Sequence, residues 1–307
     1  MKVLILGSNG LVGSSLRRIL DNNPKITDII ASTRQDADLF SLESTKKLID
    51  EITPDILINA AAKVGGIYAN NTKRVEFILE NLKINTNVLE SCIPHENIKI
   101  INLGSSCIYP LEVENPIEEE SIMTGKLEPT NSPYAMAKLT AIEIGNALSQ
   151  QYGHNVINLM PTNLYGPNDR FSENDSHVIP GLIFRMHKAQ LENKTTFEIW
   201  GSGNPKREFL YVDDLSESIN FIIDNNIDIS LLNIGSGNEI TIKELALKIK
   251  DIVDFTGEVS FNTSMPDGIE RKFLSSKKIM EFGWSPKVKL EEGLITTYKW
   301  FQENYKI

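Results

Sequence analysis

The beginning of the chain places a short apolar run, a glycine-rich turn and a helical pattern directly after one another. Residues 3–6 are the apolar run, Gly7, Gly10 and Gly13 lie in the turn, and the helical pattern extends through Leu20. In this context a glycine turn brings backbone amides and a helix N-terminus against the pyrophosphate of a dinucleotide. The spacing G-x-x-G-x-x-G alone would also fit a plain tight turn, but the order of elements favours dinucleotide binding.

Further apolar runs alternate with helical patterns along the first half of the chain. The predicted strands are residues 29–31, 56–60, 98–103 and 156–160, and the predicted helices include 41–52, 77–92 and 133–152. This alternation predicts an α/β fold with a Rossmann-type, doubly wound parallel sheet that has helices on both faces.

The end of the second predicted strand decides which dinucleotide the turn would accept. An acidic residue there would bind the ribose 2'-hydroxyl of NAD. The chain instead reads Ser32-Thr33-Arg34, and a guanidinium beside a hydroxyl suits a 2'-phosphate. A solvated surface arginine is the alternative interpretation, but the sequence favours NADP(H) as the cofactor.

The pattern loosens after Gly166. Residues 168–176 are polar and turn-rich, residues 197–200 resemble a strand, and helical patterns follow at 180–191, 241–253 and 290–304. We therefore predict a smaller C-terminal substrate lobe beside the Rossmann-type sheet. The predicted NADP-binding domain comprises residues 1–166 and 205–238, and the predicted substrate-binding lobe comprises 167–204 and 239–307.

Composition excludes several classes of function. The chain of 307 residues has a net charge of -10 and no Lys/Arg-rich run, which argues against nucleic-acid or anionic-membrane partners. Two cysteines give no disulfide framework, and no long apolar segment or targeting signal is evident, so we expect a cytoplasmic protein. His95, His154 and His187 show no metal-ligand spacing, and no metal site is predicted.

Three residues predict proton transfer at a carbonyl or alcohol oxygen. Ser105 follows the strand predicted over 98–103, and ligands bind at the carboxyl ends of parallel strands. Tyr134 and Lys138 are four residues apart and so share one face of a predicted helix. We expect the lysine charge to lower the pKa of the Tyr134 phenol and to reach the nicotinamide ribose, while Tyr134 exchanges a proton with the substrate.

Cys107 and His177 add candidates for proton transfer at carbon. Protons beside a ketone are acidic, and a base and an acid on opposite faces of a sugar ring could invert such a centre. His177 precedes a predicted helix near the boundary of the lobe. Free cysteines are more often small buried hydrophobes, which we predict for Cys92 and which remains an alternative for Cys107.

An acidic protein that binds an anionic ligand needs local cations. Arg185 and Arg207 are candidates for holding a substrate diphosphate, and Arg271 and Lys272 could contribute. For each of them a surface salt bridge is the alternative interpretation.

Taken together, these stretches resemble the extended short-chain dehydrogenase/reductases, and within them the GDP-L-fucose synthase family. The most specific matches are Lys-Val-Gly-Gly at 63–66 and Ser-Ser-Cys-Ile-Tyr-Pro at 105–110. Other matching segments lie at 60–62, 67, 69–71, 127–131 leading to Tyr134, 161–167, 176–180, 200–203, 207–210, 212–214, 233–235, 266–268 and 271–272.

The resemblance implies a bifunctional NADPH enzyme that epimerises C3 and C5 of GDP-4-keto-6-deoxy-D-mannose and then reduces C4. A C4-reductase of a related GDP-4-keto sugar, such as a heptose, is the alternative. Implied catalytic residues are Cys107 as base, His177 as acid, Ser105 and Tyr134 at the ketone oxygen, and Lys138. Implied cofactor residues are Gly7, Asn9, Gly10, Leu11, Val12, Gly13, Arg34, Ala61, Tyr134, Lys138, Pro161, Asn163, Leu164 and His177. Implied substrate residues are Arg185, Trp200, Arg207, Asp267 and Lys272.

The resemblance further implies a homodimer formed through the helices predicted at 77–92 and 133–152. Three positions depart from the family pattern. Arg170 stands where asparagine is usual, Ser275 stands where aspartate is common, and the glycine turn opens Gly7-Ser8-Asn9 rather than Gly-His-Arg.

Overall fold

The computed structural model describes residues 1–173, 175–265 and 267–305 of the chain. Its strands are β1 (Lys2–Leu6), β2 (Asp28–Ser32), β3 (Ile56–Asn59), β4 (Lys99–Leu103), β5 (Val156–Pro161), β6 (Asn163–Tyr165), β7 (Thr196–Trp200), β8 (Lys206–Tyr211), β9 (Leu231–Ile234), β10 (Glu239–Thr241), β11 (Glu258–Asn262) and β12 (Arg271–Lys272). Its α-helices are α1 (Leu11–Leu20), α2 (Leu42–Ile52), α3 (Ile67–Thr72), α4 (Arg74–Cys92), α5 (Ser132–Tyr152), α6 (Val178–Leu191), α7 (Val212–Asp224), α8 (Ile242–Val253), α9 (Lys277–Glu281) and α10 (Leu290–Asn304).

The main sheet has six strands in the order β2-β1-β3-β4-β5-β9, and every neighbouring pair is parallel. Helices α2, α4 and α5 pack their apolar residues on one face, and α1 and α7 pack on the other. The doubly wound parallel sheet predicted from the apolar runs is therefore confirmed. The direction of winding reverses between β1 and β3, and ligands bind at such a switch point in open α/β sheets.

A row of buried asparagines fixes the register of the central strands. The Asn59 amide donates to Asn102 Oδ1 at 3.1 Å, and the Asn102 amide donates to Asn158 Oδ1 at 3.1 Å. These residues are direct partners across β3, β4 and β5. Because a register slip would leave these buried amides unpaired, the row holds the carboxyl ends of the three strands level with one another.

A second group of elements packs beside the carboxyl ends of the main sheet. Strand β8 pairs with β10, β12 and β6, and β7 pairs with β11. The apolar faces of α6, α8 and α10 form a separate core with Phe209 and Tyr211, while Leu210 between them packs into the core of the main sheet. Strand β8 thus contributes to both cores by the alternation of its side chains.

The domain limits drawn from the sequence remain a prediction. The main sheet and the second group of elements have separate apolar cores, and β8 contributes to both. Asn174 and the last two residues of the segment 239–307 lie outside the described residues, as does Pro266 in the segment 266–268. Within the described part of the chain, no helix is long and apolar enough to cross a membrane.

Candidate active site

A cleft of about 1980 Å³ lies between the main sheet and the second group of elements. The segments that follow β1, β2, β3, β4 and β5 all line it, so it opens at the carboxyl ends of the strands. The predicted site residues that line the cleft are Gly7, Asn9, Gly10, Leu11, Val12, Arg34, Ala61, Ser105, Cys107, Tyr134, Lys138, Pro161, Asn163, Leu164, His177, Arg185, Trp200, Arg207, Asp267 and Lys272. Gly13 and Arg271 are the predicted residues that do not line it.

The glycine turn has the shape that a dinucleotide pyrophosphate requires. Gly7 has a φ of +78°, which favours glycine, and a Cβ there would lie 2.8 Å from the Ala61 Cα. A Cβ at Gly13 would lie 2.3 Å from the Gly7 carbonyl oxygen. The absence of a side chain at Gly13 therefore allows the start of α1 to pack directly against the turn. Gly10 precedes α1 without a side-chain cap, which leaves first-turn amides open toward the cleft. The residues present fit a bound dinucleotide.

Arg34 lies in the cleft wall beyond β2. Its side chain is exposed and makes no salt bridge with any other residue that the structure describes. The nearby Asp36 carboxylate accepts hydrogen bonds from the Thr33 amide at 2.7 Å and the Thr33 hydroxyl at 2.8 Å, and these bonds lower its pKa. Since Asp36 is held by Thr33, the cation of Arg34 is available to an anionic ligand.

Lys138 is a buried cation at the base of the cleft. Its Nζ donates a hydrogen bond to the Leu103 carbonyl oxygen at 2.7 Å, at the end of β4. Burial lowers the pKa of Lys138 to about 8. The same Nζ lies 5.9 Å from the centroid of the Tyr134 ring, one helical turn earlier on α5. The predicted pairing of Tyr134 and Lys138 on one helix face is present.

The direction of the Tyr134 pKa differs from the sequence-based expectation. Burial raises this pKa above its ordinary value, the Cys107 thiol group raises it further, and hydrogen bonding to Ser105 lowers it. Lys138 was expected to lower it, but the lysine directs its Nζ to Leu103 and burial is the larger effect. Tyr134 therefore stays protonated near neutral pH and is ready to donate a proton.

Cys107 lies in a short 3₁₀ turn that begins directly after Ser105. The Cys107 amide donates to Ser105 Oγ at 3.2 Å, and the Asn131 side-chain amide donates to Cys107 Sγ at 3.4 Å. Cys107 is partly exposed in the cleft, whereas Cys92 is fully buried in the core and burial raises its pKa to about 12. The two cysteines thus differ as predicted in environment, and Cys107 is the accessible thiol.

His177 lines the cleft at the residue before α6. Burial among the surrounding residues lowers the pKa of His177, and hydrogen bonding to the Gly65 backbone raises it. Gly66 makes this approach possible, since a Cβ there would lie 2.3 Å from the Ser176 carbonyl oxygen. The imidazole keeps contact with solvent in the cleft and is mainly neutral at pH 7, so its acidic form is the minor one.

Three predicted cations line the substrate end of the cleft without salt bridges to the described residues: Arg185, Arg207 and Lys272. Burial lowers the pKa of both arginines, and Arg185 lies over the Phe197 ring at 5.6 Å. Arg271 instead forms a two-point pair with Glu239 at 2.8 and 2.6 Å, so the alternative interpretation holds for that residue. Desolvated, unpaired cations favour a multiply charged anion such as a diphosphate.

Trp200 and Asp267 lie at the outer rim of the cleft. The Trp200 side chain is 64% exposed and offers a flat apolar surface to a ligand ring. The Asp267 carboxylate accepts hydrogen bonds from the Ser202 amide at 2.8 Å and its hydroxyl at 2.7 Å. In this structure the Asp267 carboxylate therefore stabilises the loop that follows Trp200.

Sequence reasoning missed some residues that line the cleft. Asn131 and Glu128 belong to a segment that was matched to the family without any role, although polar residues just before a predicted helix are a signal. Asp169 is buried, lines the cleft, and has a pKa that burial raises to about 7. In the described part of the chain, no cluster of three or more His, Cys, Asp or Glu side chains could hold a metal ion.

Comparison with known proteins assigns the chain to a family. Residues 3–235 match the model of the NAD dependent epimerase/dehydratase family. The chain is 45% identical to a probable GDP-L-fucose synthase 1 of Oryza sativa subsp. japonica over 99% of its length and 92% of the relative. It is 43% identical to GDP-L-fucose synthase 1 of Arabidopsis thaliana, covering 99% and 94%. The chain therefore belongs to the NAD dependent epimerase/dehydratase family.

Solved structures agree with this assignment. A GDP-L-fucose synthetase from Naegleria fowleri bound to NADP is 30% identical, with a TM-score of 0.89 and coverage of 99% of this chain and 94% of that one. A GDP-mannoheptose C4 reductase from Campylobacter jejuni with NADP bound is 32% identical, with a TM-score of 0.86 and coverage of 98% of both chains. The resemblance to the GDP-L-fucose synthase family inferred from the motifs is confirmed.

Lys138→Met tests the buried cation. The pKa of Lys138 is about 8 in the folded chain against 10.5 ordinarily, so the unfolded state binds more protons between these values. The wild-type chain should gain roughly 3 kcal/mol of stability from this group as pH rises through the window, and Lys138→Met should lack that gain. Urea unfolding at both ends of the window measures it.

The exposed Lys83 offers a matched control, because Lys83→Met should keep the wild-type pH dependence. A stability difference between wild type and Lys138→Met that is equal at both ends of the window would contradict the assignment.

Proposed function

We propose that the chain is an NADPH-dependent enzyme that epimerises C3 and C5 of GDP-4-keto-6-deoxy-D-mannose and reduces its C4 ketone to give GDP-L-fucose. The observation that carries this proposal is the placement of two sets of groups on one cleft. Ser105, Tyr134 and Lys138 suit proton transfer at an oxygen, while Cys107 and His177 suit proton transfer at carbon. The relatives named GDP-L-fucose synthase support the same reaction.

Epimerisation requires a base and an acid around an acidified carbon. In our proposal Cys107 removes the proton from C3 or C5, the C–H electron pair moves to the C4 oxygen as an enolate, and the S–H bond forms. Hydrogen bonds from Tyr134 and Ser105 stabilise the enolate oxygen at both steps, because C3 and C5 both flank C4. His177 returns a proton from the opposite face, which inverts the centre. Since the His177 pKa is lowered, its acidic form is favoured as pH falls.

Reduction uses the same oxygen site. The glycine-turn end of the cleft would hold NADPH, which when bound would supply the hydride that converts the C4 ketone to an alcohol. Tyr134 donates the proton to the C4 oxygen, and its raised pKa keeps that proton in place until negative charge develops there. The Lys138 cation beneath the ring stabilises the phenolate that results. The cofactor would be held by Gly7, Gly10, Leu11, Val12 and Asn163. Gly13 would contribute indirectly, because it packs closely against the turn that contains Gly7 and Gly10.

The cations at the other end of the cleft would hold the GDP diphosphate. Arg185, Arg207 and Lys272 reach the cleft from α6, β8 and β12, which are separate elements of the lobe. Trp200 is placed to stack on a flat ring, which suits the base of the nucleotide. An anionic ligand held by all three cations would draw these elements together over the sugar.

A C4-reductase of a related GDP-4-keto sugar is the second candidate. The structural similarity to a GDP-mannoheptose C4 reductase supports it. Arg170, one of the departures from the family pattern, adds a further reason, because it shares Asp175 with Lys73 at 3.3 and 3.5 Å, two residues before His177. This ion-pair group would alter the space around the sugar.

We also propose a cytoplasmic homodimer that forms through α4 and α5. These helices pack side by side on one face of the sheet, and their outer surface exposes Val75, Leu79 and Met136. Apolar side chains on an outer helical surface favour association with a second copy. Two free cysteines suit the reducing conditions of the cytoplasm.

Cys107→Ser tests the epimerase part of the proposal. A serine hydroxyl is a much weaker base, so deuterium exchange from solvent at C3 and C5 should fall at least about 10²-fold while NADPH remains bound. NMR of the sugar and NADPH fluorescence measure the two effects. Cys92→Ala is the matched control and should exchange normally, since Cys92 is buried in the core. Unchanged exchange in Cys107→Ser would remove Cys107 from the mechanism.

Arg34→Ala tests the choice of cofactor. If the guanidinium binds a 2'-phosphate, the change should weaken NADPH binding by at least about tenfold and alter NADH binding far less. Titration of each dinucleotide against the variant measures the two affinities. Arg17→Ala, an exposed position on α1 outside the cleft, should bind both as wild type does. Equal losses for NADPH and NADH would show that Arg34 does not contact the 2'-phosphate.

A further inference from the structure

The Cys107 sulfur has a polar neighbour to which the reaction described above gives no task. The Asn131 side-chain amide Nδ2 donates a hydrogen bond to Cys107 Sγ at 3.4 Å. Both side chains line the cleft, and the Cys107 backbone is held separately by Ser105 Oγ at 3.2 Å. The backbone of the cysteine and its sulfur are therefore fixed by two different residues.

The Asn131 side chain does not cap helix α5, although Asn131 stands at the capping position. It is the residue immediately before α5, where an asparagine side chain usually accepts a hydrogen bond from a first-turn amide. Here the Asn131 side chain makes no capping hydrogen bond to the helix. The chain thus leaves a stabilising helix cap unmade, while the Asn131 amide is directed to the sulfur.

The backbone around Asn131 is held rigidly enough to aim this side chain. The Glu128 carboxylate accepts hydrogen bonds from the Asn131 amide at 3.1 Å and the Thr130 amide at 3.0 Å. From α4, Arg74 donates to the Pro129 carbonyl oxygen at 2.8 Å. Because hydrogen bonds to Glu128 and Arg74 hold this turn in place, the Asn131 side chain can adopt few positions. A side chain must be restricted in this way if it is to orient another group, here the Cys107 sulfur.

A long helix begins next to the residue whose amide contacts the sulfur. The N-terminus of α5, a helix of 21 residues, begins beside Asn131, and helix N-termini stabilise anions. An N–H donor interacts about twice as strongly with an ionised acceptor as with a neutral one. A thiol that removes a proton from carbon must first carry that charge.

We propose that Asn131 is a positioning residue for the epimerase step, which orients the Cys107 sulfur and stabilises its anionic form through the amide N–H. This inference rests on the proposed role of Cys107 as the base. As the proton leaves C3 or C5 and the S–H bond forms, the sulfur loses its charge and the hydrogen bond from Asn131 weakens. Asn131 touches neither the sugar carbons nor the cofactor in this account.

The pH dependence of Cys107 alkylation by iodoacetamide tests the contact directly. Cys92 is fully buried, so Cys107 supplies the fast-reacting thiol. Asn131→Ala should move the midpoint of the rate against pH upward by about one unit, because a charge-assisted hydrogen bond is lost. Asn131→Asp should move it further, since a carboxylate replaces the donor. Aspartate is also a good helix cap, which protects the fold if Asn131→Ala proves unstable.

Ser132→Ala is the matched control. Ser132 is the first residue of α5 and its hydroxyl contacts Pro129 and Arg74 rather than the sulfur, so its midpoint should equal that of wild type. Equal midpoints in wild type and both Asn131 variants would overturn the proposal. A wild-type midpoint in Asn131→Asp alone would also overturn it, because the side-chain oxygen would then face the sulfur.

Solvent deuterium exchange at C3 and C5 supplies the second readout. Asn131→Ala should lower kcat for exchange at least tenfold with little change in KM, and NADPH binding should stay as in wild type. Equal exchange rates in variant and wild type would overturn the proposal. If wild type itself exchanged no deuterium, the epimerase function would fail and the positioning role with it, while a shifted alkylation midpoint would still establish the contact with the sulfur.

Discussion

The contact between Lys138 and the Leu103 carbonyl oxygen organises the catalytic side of the cleft. It ties α5 to the carboxyl end of β4 through a cation that is almost wholly removed from solvent. Burial of such a charge destabilises the folded chain, and the lowered pKa of Lys138 expresses that cost. In return, Tyr134 on the same helix is fixed beside Ser105 and Cys107, which follow the same strand. In the proposed mechanism, two kinds of proton transfer share this one oxygen site.

The second side of the cleft depends on close packing between the main sheet and the lobe. Gly66 allows the segment that carries His177 to lie directly against the loop that follows β3. Strand β8 contributes side chains to both cores and carries Arg207 into the cleft. In the proposed mechanism, the acid at carbon and one of the diphosphate cations therefore lie on segments that pack directly against the main sheet or its loops.

The sequence was sufficient where a local pattern determines the structure. The apolar runs predicted the parallel sheet, and the turn from Gly7 to Gly13 predicted the cofactor end of the cleft. It was insufficient where packing decides, since strand β8 alternates between two cores and shows no single apolar pattern. The lysine was expected to lower the Tyr134 pKa, but its Nζ is directed to Leu103, and burial raises this pKa instead. The orientation of the Asn131 side chain depends on a turn that hydrogen bonds to Glu128 and Arg74 hold in place. The spacing of residues in the sequence does not reveal these hydrogen bonds.

The proposed function is tested most directly by incubating the protein with GDP-4-keto-6-deoxy-D-mannose and NADPH in deuterated water and identifying the product by NMR. The proposed reactions should give GDP-L-fucose with deuterium at both C3 and C5 and one NADPH consumed per product. Consumption of NADPH with no deuterium at either carbon would contradict it, because Cys107 and His177 would then take no part and the protein would be a reductase alone.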